Sequence, residues 1–295
     1  MRREAIEYLK GTYSVSLRRA CGLIGLQKSS FYYEAEEPDD GELRDALKQK
    51  AVEHRRWGYR NLIEMLRRDG WKDNHKRIYR VYVEEGLQVR KRRKRWASKW
   101  RGEPLIQPTR LNEVWAMDFV ADMLTGGRRL RLLPVIDVYS RECLAIEVDT
   151  SLTGQRVSRV LDQLREVRGR LPERIMVDNG PEFAGRELDR WAYENGVKLH
   201  FIQPGKPMQN GYIESFNGKF RNECLNEHWF PSVNNARQMT EDWRQSYNQV
   251  RPHSSLGKQT PAEFAALHSR LRSATPPSAG NVPNETVLQT MGGLS

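Results

Sequence analysis

The sequence predicts a mixed α/β domain standing behind an all-α N-terminal third. Three observations point there. From Asn112 onward, short apolar runs of strand type come as a meander of three, then a helical period, then another strand. Residues 1–88 carry helical periodicity broken at Gly and Pro, and Arg90–Arg101, with eight basic residues in twelve, lies between the two regions. The 295-residue chain has a formal charge of +11, which favours a polyanionic partner without fixing a fold. No apolar run approaches the roughly 18 residues of a membrane span, and the N-terminus lacks the apolar core of a signal peptide. Cys21, Cys143 and Cys224 show no paired spacing, so neither a disulfide framework nor a cysteine zinc site is expected. The expectation is a soluble, cytoplasmic chain with no membrane partner.

Residues 1–36 form the first unit. Leu17, Ala20 and Cys21 have helical spacing, Gly22–Gly25 supplies a turn, and Ser29 or Ser30 can cap a second short helix. The pattern fits a helix-turn-helix and, equally, a plain helical hairpin. Unpaired acids with Pro38 and Gly41 mark a linker at Glu34–Gly41. A second helix-turn-helix-like unit, residues 42–88, follows with helices at Leu43–Arg55, Tyr59–Arg68 and Asn74–Glu85, the last capped by Asp73. Its exposed face would carry His75, Lys76, Arg77 and Arg80, a set suited to phosphates and base edges. Residues 89–109 read as a basic tether and DNA arm. There Arg92, Arg93, Lys94 and Arg95 would neutralise phosphates, and Trp96 and Trp100 could stack on bases.

Residues 110–268 form the core, ahead of a tail at 269–295 whose Pro and Gly predict disorder. Expected strands lie at Glu113–Val120, Leu130–Val138, Glu142–Val148, Arg174–Val177 and Val197–Ile202, and expected helices near 153–168, 186–196, 211–225, 234–247 and 260–264. Asp118 falls inside an apolar strand, where a carboxylate is costly unless paired or bound to a cation. Asp178 is delivered by Arg174–Val177 straight into Asn179-Gly180-Pro181, which no strand continues through. Glu214 lies off the Tyr212, Phe216, Phe220 stripe of its helix. Taken singly, each acid has an ordinary reading: Asp118 a partner for a buried base, Asp178 a turn residue, Glu214 a surface charge. Asp137 suits a turn or salt-bridge role beside Arg141. Gln203–Gly211, rich in Pro and Gly, is expected to be a loop able to close on a substrate.

Three blocks together resemble the integrase-core transposases: Trp115-Ala-Met-Asp118-Phe, Val177-Asp178-Asn-Gly-Pro-Glu-Phe183, and Asn210-Gly-Tyr-Ile-Glu214-Ser-Phe-Asn-Gly218, with thirty-five residues between Asp178 and Glu214. Val135–Arg141 and Tyr247–Phe264 are similar to further signature blocks. Over residues 1–265 the chain is similar to the second-reading-frame product of the two-frame bacterial insertion sequences. The resemblance implies a ribonuclease-H-like fold, a mixed five-stranded sheet flanked by helices and preceded by helix-turn-helix DNA-binding modules. It implies that Asp118, Asp178 and Glu214 are the catalytic metal ligands, holding two Mg²⁺ ions for which Mn²⁺ can substitute. It implies DNA cleavage and strand transfer, with water and then a DNA 3′-hydroxyl as nucleophile. The implied partners are the element's terminal repeats, target DNA, further copies of the chain on DNA, and an upstream-frame protein or fusion. Arg221, seven residues after Glu214, is placed to meet phosphates, while Gly218 stands where some integrases carry a lysine. A regulatory DNA-binding protein and a ribonuclease H share parts of this pattern. The complete acid set argues against the first, and the N-terminal helical modules against the second.

Overall fold

The computed structural model describes residues 1–34, 39–89, 107–203 and 210–274. Arg92, Arg93, Lys94 and Arg95 of the basic arm lie outside the described residues, as do most of the 203–211 loop and part of the acidic linker.

Helices α1 (Arg2–Tyr13), α2 (Leu17–Ile24) and α3 (Lys28–Tyr32) close over Ile6, Ala20 and Cys21. Ser16 caps α2 by accepting the Arg19 N–H, and Gly25 ends it at φ 66, a conformation that is costly for a side chain bearing a Cβ. Neither Ser29 nor Ser30 caps α3; the chain enters that helix from Gln27. The second unit packs α4 (Gly41–Glu53), α5 (Tyr59–Arg68) and α6 (His75–Glu84) around Leu47, Leu62, Leu66, Ile78 and Val81. Asn74, and not Asp73, caps α6, accepting the Lys76 N–H at 3.0 Å. Asp73 is held instead by the Arg77 guanidinium at 2.6 Å.

The core sheet is built from β1 (Val114–Met117), β2 (Val120–Met123), β3 (Arg129–Asp137), β4 (Cys143–Asp149), β5 (Arg174–Val177) and β6 (Lys198–Phe201). Five strands are expected and six segments are present, because β1 and β2 are one strand interrupted. Both pair antiparallel with β3 in a single register, which places Asp118 and Phe119 opposite Pro134 and Leu133. Pro134 has no N–H to give a ladder, and the Phe119 N–H turns to the Asp118 side chain at 2.8 Å. β4 covers the other edge of β3, β5 pairs parallel with β1, and β6 pairs parallel with β5. The sheet therefore runs β4, β3, β1 with β2, β5, β6.

Alternation sorts the strands between two faces. Val114, Ala116, Leu132, Ile136 and Met176 face one way, against α9 (Gly211–Phe220) and α10 (Val233–Gln249). Trp115, Met117, Leu133, Val135, Ile175 and Val177 face the other, against α7 (Gly154–Arg168) and α8 (Arg186–Glu194). Each large side chain so buried contributes about 1.5–3 kcal/mol. The buried stripe of α9 is Ile213, Phe216 and Phe220, with Cys224 and Leu225 on the π-helical turn that continues it; Tyr212, expected on this stripe, is only half-buried. Ile213 is fully buried in the cluster that holds Phe216, whose ring meets Trp243 and Tyr247, while Tyr212 packs at its margin. Asn248 satisfies both backbone groups of Cys143 on the edge strand β4, at 2.9 and 2.8 Å.

α11 (Pro261–Ala274) begins with a reciprocal cap between Thr260 and Glu263. It is longer than the short helix expected at 260–264, and residues 269–274, assigned by composition to the tail, continue it. The second helical unit rests on this end of the core. Arg68 engages Glu263 through two hydrogen bonds of 3.0 and 2.9 Å, and Val250 joins the α4–α6 core.

Candidate metal centre and nucleic-acid interface

The parallel register of β1 and β5 sets Trp115 beside Ile175 and Ala116 beside Met176. Carried two residues further, it brings Asp118 beside Asp178, both in the alternation that faces α9. Asp118 accepts the Phe119 N–H at 2.8 Å on one oxygen and Asn217 Nδ2 at 2.9 Å on the other. Burial pushes its carboxyl up to about 6; the Phe119 N–H opposes this, and the negative charges of Asp178 and Glu214 add to it. Asp178 accepts the Gly180 N–H at 2.9 Å. Gly180 lies so close that a Cβ there would stand 2.9 Å from that same oxygen. Asn179 donates to the Ile202 carbonyl at 2.7 Å, tying the end of β5 to the residue that follows β6.

A strut of side chains supports both aspartates from the opposite face. The Arg131 guanidinium lies 4.3 Å over the Phe119 ring, Phe119 stacks on Phe183 at 4.8 Å, and Glu182 closes the circuit by pairing with Arg131. That pairing holds the Glu182 carboxyl below its usual range, so Glu182 is engaged as a brace beside Asp178.

Glu214 stands exposed on α9, one turn before Asn217. Among the described residues, no group of three or more His, Cys, Asp or Glu is close enough to hold a metal ion as it stands. The sheet thus brings Asp118 and Asp178 together, and Glu214 joins them through its charge without closing a ligand cage. Asn217 and Arg131 escape a reading of the sequence. The signal for Asn217 was its i+3 spacing from Glu214, which puts both on one side of a helix.

The expected DNA contacts divide. Lys76 is exposed at the start of α6. Arg77 is held by Asp40 and Asp73, and Arg80, which is still exposed, by Asp40 and Glu84, so both also brace the module. Arg221 is exposed, with one donor spent on the Ala121 carbonyl at 3.0 Å. Asp137 has the turn role, accepting from Ser140 N at 2.7 Å, Ser140 Oγ at 2.9 Å and Asn112 N at 2.7 Å. Among the described residues no helix is long and apolar enough to cross a membrane.

The Integrase core domain family matches residues 108–207 and again 195–261, and the HTH-like domain family matches residues 38–95. The chain is 50% identical over 256 residues to a protein of insertion element IS407 from Burkholderia multivorans, covering 86% of this chain and 92% of that one. It is 46% identical over 266 residues to a protein of insertion element IS476 from Xanthomonas euvesicatoria, covering 90% and 77%. Among solved structures it is similar in fold to a simian T-cell lymphotropic virus intasome, with a TM-score of 0.50 at 14% identity, covering 83% of this chain and 80% of that one. The class is an integrase core of ribonuclease-H-like fold preceded by a helix-turn-helix-like domain. Sharing half its residues with an insertion-element protein over most of both chains, this chain belongs to the integrase-core transposases of insertion elements.

Proposed function

We propose that the chain cleaves DNA at the ends of its element and joins them to target DNA in a metal-dependent reaction, with Asp118, Asp178 and Glu214 as the catalytic ligands. The observation that carries this reading is the pair Asp118 and Asp178, set side by side by strand register and left without a cationic partner among the described residues. Three carboxylates are the hard oxygen donors that Mg²⁺ favours, and Asn217 Oδ1, buried without a donor, leaves one further acceptor beside them. Two Mg²⁺ ions, or Mn²⁺ in their place, would supply activation of water or a DNA 3′-hydroxyl and neutralisation of the departing oxygen.

The chain's own residues do the rest. Asn217 fixes the orientation of Asp118 from α9, so the helix that carries Glu214 also sets the first aspartate. The Gly180 turn fixes Asp178, and the Arg131–Glu182 brace holds its loop against the sheet. Lys76, the basic arm with Arg92, Arg93, Lys94 and Arg95, and Arg221 are assigned to the DNA backbone. The partners in this reading are the element's terminal repeats, target DNA and a second copy of the chain. The test is incubation with duplex DNA carrying those repeats, with and without Mg²⁺, and mapping of nicks. Metal-dependent cuts at the repeat ends are expected, and an Asp178→Asn chain that cuts as well as wild type would falsify the assignment.

A further inference from the structure

Away from the three acids, a second group of charged side chains is left incompletely satisfied. Arg141, in the turn between β3 and β4, lays its guanidinium over the Tyr212 ring, 4.0 Å from the centroid. Stacked this way, its face is used and its N–H edge is free to donate. Yet Nη1 is buried with no hydrogen-bond partner among the described residues. Lys219 lies seven residues after Tyr212 on α9, and its Nζ finds only neutral acceptors, the Ser215 carbonyl at 3.3 Å and Oγ at 3.1 Å. His253, edge-on to Tyr247 at 4.9 Å, has a buried Nε2 that is also unpartnered. Arg251 is the one cation here that is matched, by both oxygens of Glu223.

The groups feel one another. Burial, then the charge of Arg251, and further that of Arg141, push the Lys219 ammonium down to about 8, with Glu223 opposing. Among the described residues Glu223 pairs with Arg251, and no carboxylate is paired with Arg141 or Lys219. Buried donors without acceptors are costly, and converging cations with free N–H groups are what an oxyanion satisfies. Beside Arg141 and Tyr212 a cavity of about 310 Å³ opens, with Gln107, Tyr139 and Ser255 on its wall.

We propose that Arg141 anchors a phosphate-binding subsite in this cavity, and that its occupant is a backbone phosphate of DNA. The polyanion is favoured over a free phosphate because Tyr212 on the cavity wall and Glu214 share the first turn of α9, which sets the cavity within one helical turn of that acid along the helix axis. The site also explains why Arg141 keeps a stacked, half-buried guanidinium in a strained left-handed turn at φ 64.

Two measurements on the full chain test this, each made on wild type, Arg141→Gln and Arg141→Lys. Thermal unfolding in rising inorganic phosphate, at ionic strength matched with chloride, should give a rising Tm for wild type and Arg141→Lys and none for Arg141→Gln. Anisotropy of a labelled duplex across a salt series should give Arg141→Gln a log K against log salt slope shallower by about 0.9, the loss of one phosphate contact, with Arg141→Lys unchanged. A phosphate response without a slope change keeps the subsite and removes DNA as its occupant. No difference between wild type and Arg141→Gln in either measurement overturns the proposal. Should Arg141→Gln fail to fold, Arg141→Met, which keeps an unbranched stem over the Tyr212 ring, replaces it with the same expectations. The DNA measurement rests on the reading that this chain acts on DNA and the phosphate measurement does not, so wild type that binds no duplex defeats that reading while the subsite is still decided.

Discussion

In the second helical unit two arginines, Arg77 and Arg80, converge on the buried carboxylate of Asp40, whereas in the core Asp118 and Asp178 stand side by side with no cation paired to them among the described residues. Both arrangements concentrate charge in a small space. In the first, the chain supplies the counter-charge itself, and Arg77 above all holds the Asp40 carboxyl below its usual range. In the second, burial with the neighbouring acids raises Asp118. The difference teaches that a charged residue's role is read from who neutralises it. Compensation from within the chain marks a brace, and compensation left to come from outside marks a site.

The sharpest way to break this comparison is to remove a carboxylate from the open side. Asp178→Asn should lower metal-dependent nicking by about a thousandfold, a loss of several kcal/mol of transition-state stabilisation, while duplex binding measured by anisotropy stays within twofold or so. A smaller effect is expected one shell out. Asn217→Ala frees one Asp118 oxygen, and Mg²⁺ titrations of activity should shift by about 10–100-fold. On the braced side, Lys76→Gln should make the salt slope of DNA binding shallower by about 0.9, whereas Arg77→Gln should leave the slope alone and lower the melting temperature of the chain. An Arg77 variant with the larger slope change would invert the comparison.

The smallest effect is a pH dependence of stability. Burial pushes the His253 imidazole down to about 3 from its ordinary 6.5, helped by the charge of Arg251. Between those values the unfolded chain takes up a proton that the folded chain refuses. Stability is therefore full above about 6.5 and declines as pH falls toward 3. Denaturant midpoints at pH 7 and pH 5 should differ less for His253→Gln than for wild type.

Much of the candidate site is legible in the residues alone. Asp118, Asp178 and Glu214 each sit in a local pattern that announces a strand interior, a strand end and a helix, and the parity of Asp118 with Ala116 already fixes its face. What is not legible depends on residues far apart in the chain. Arg77 and Arg80 share the polar side of α6, but nothing local shows that Asp40, thirty-seven residues before Arg77, arrives opposite them. Asn217 reaches Asp118 across ninety-nine residues. The break between β1 and β2 is equally hidden, since Pro134 lies on the neighbouring strand and its missing N–H matters only once the register is known.

That interrupted strand has a consequence for how the chain tolerates insertions. Inserting one residue between Ala116 and Asp118, with Val114–Ala116 held in their pairing to β3 and β5, moves every later residue of the strand by one place. It would also turn Asp118 through the sheet, away from Asn217 and toward the packing beneath α7 and α8. Two residues would restore its side. Length changes in this short segment should thus be crippling at odd count and milder at even count, a parity rule that substitution data alone would never reveal.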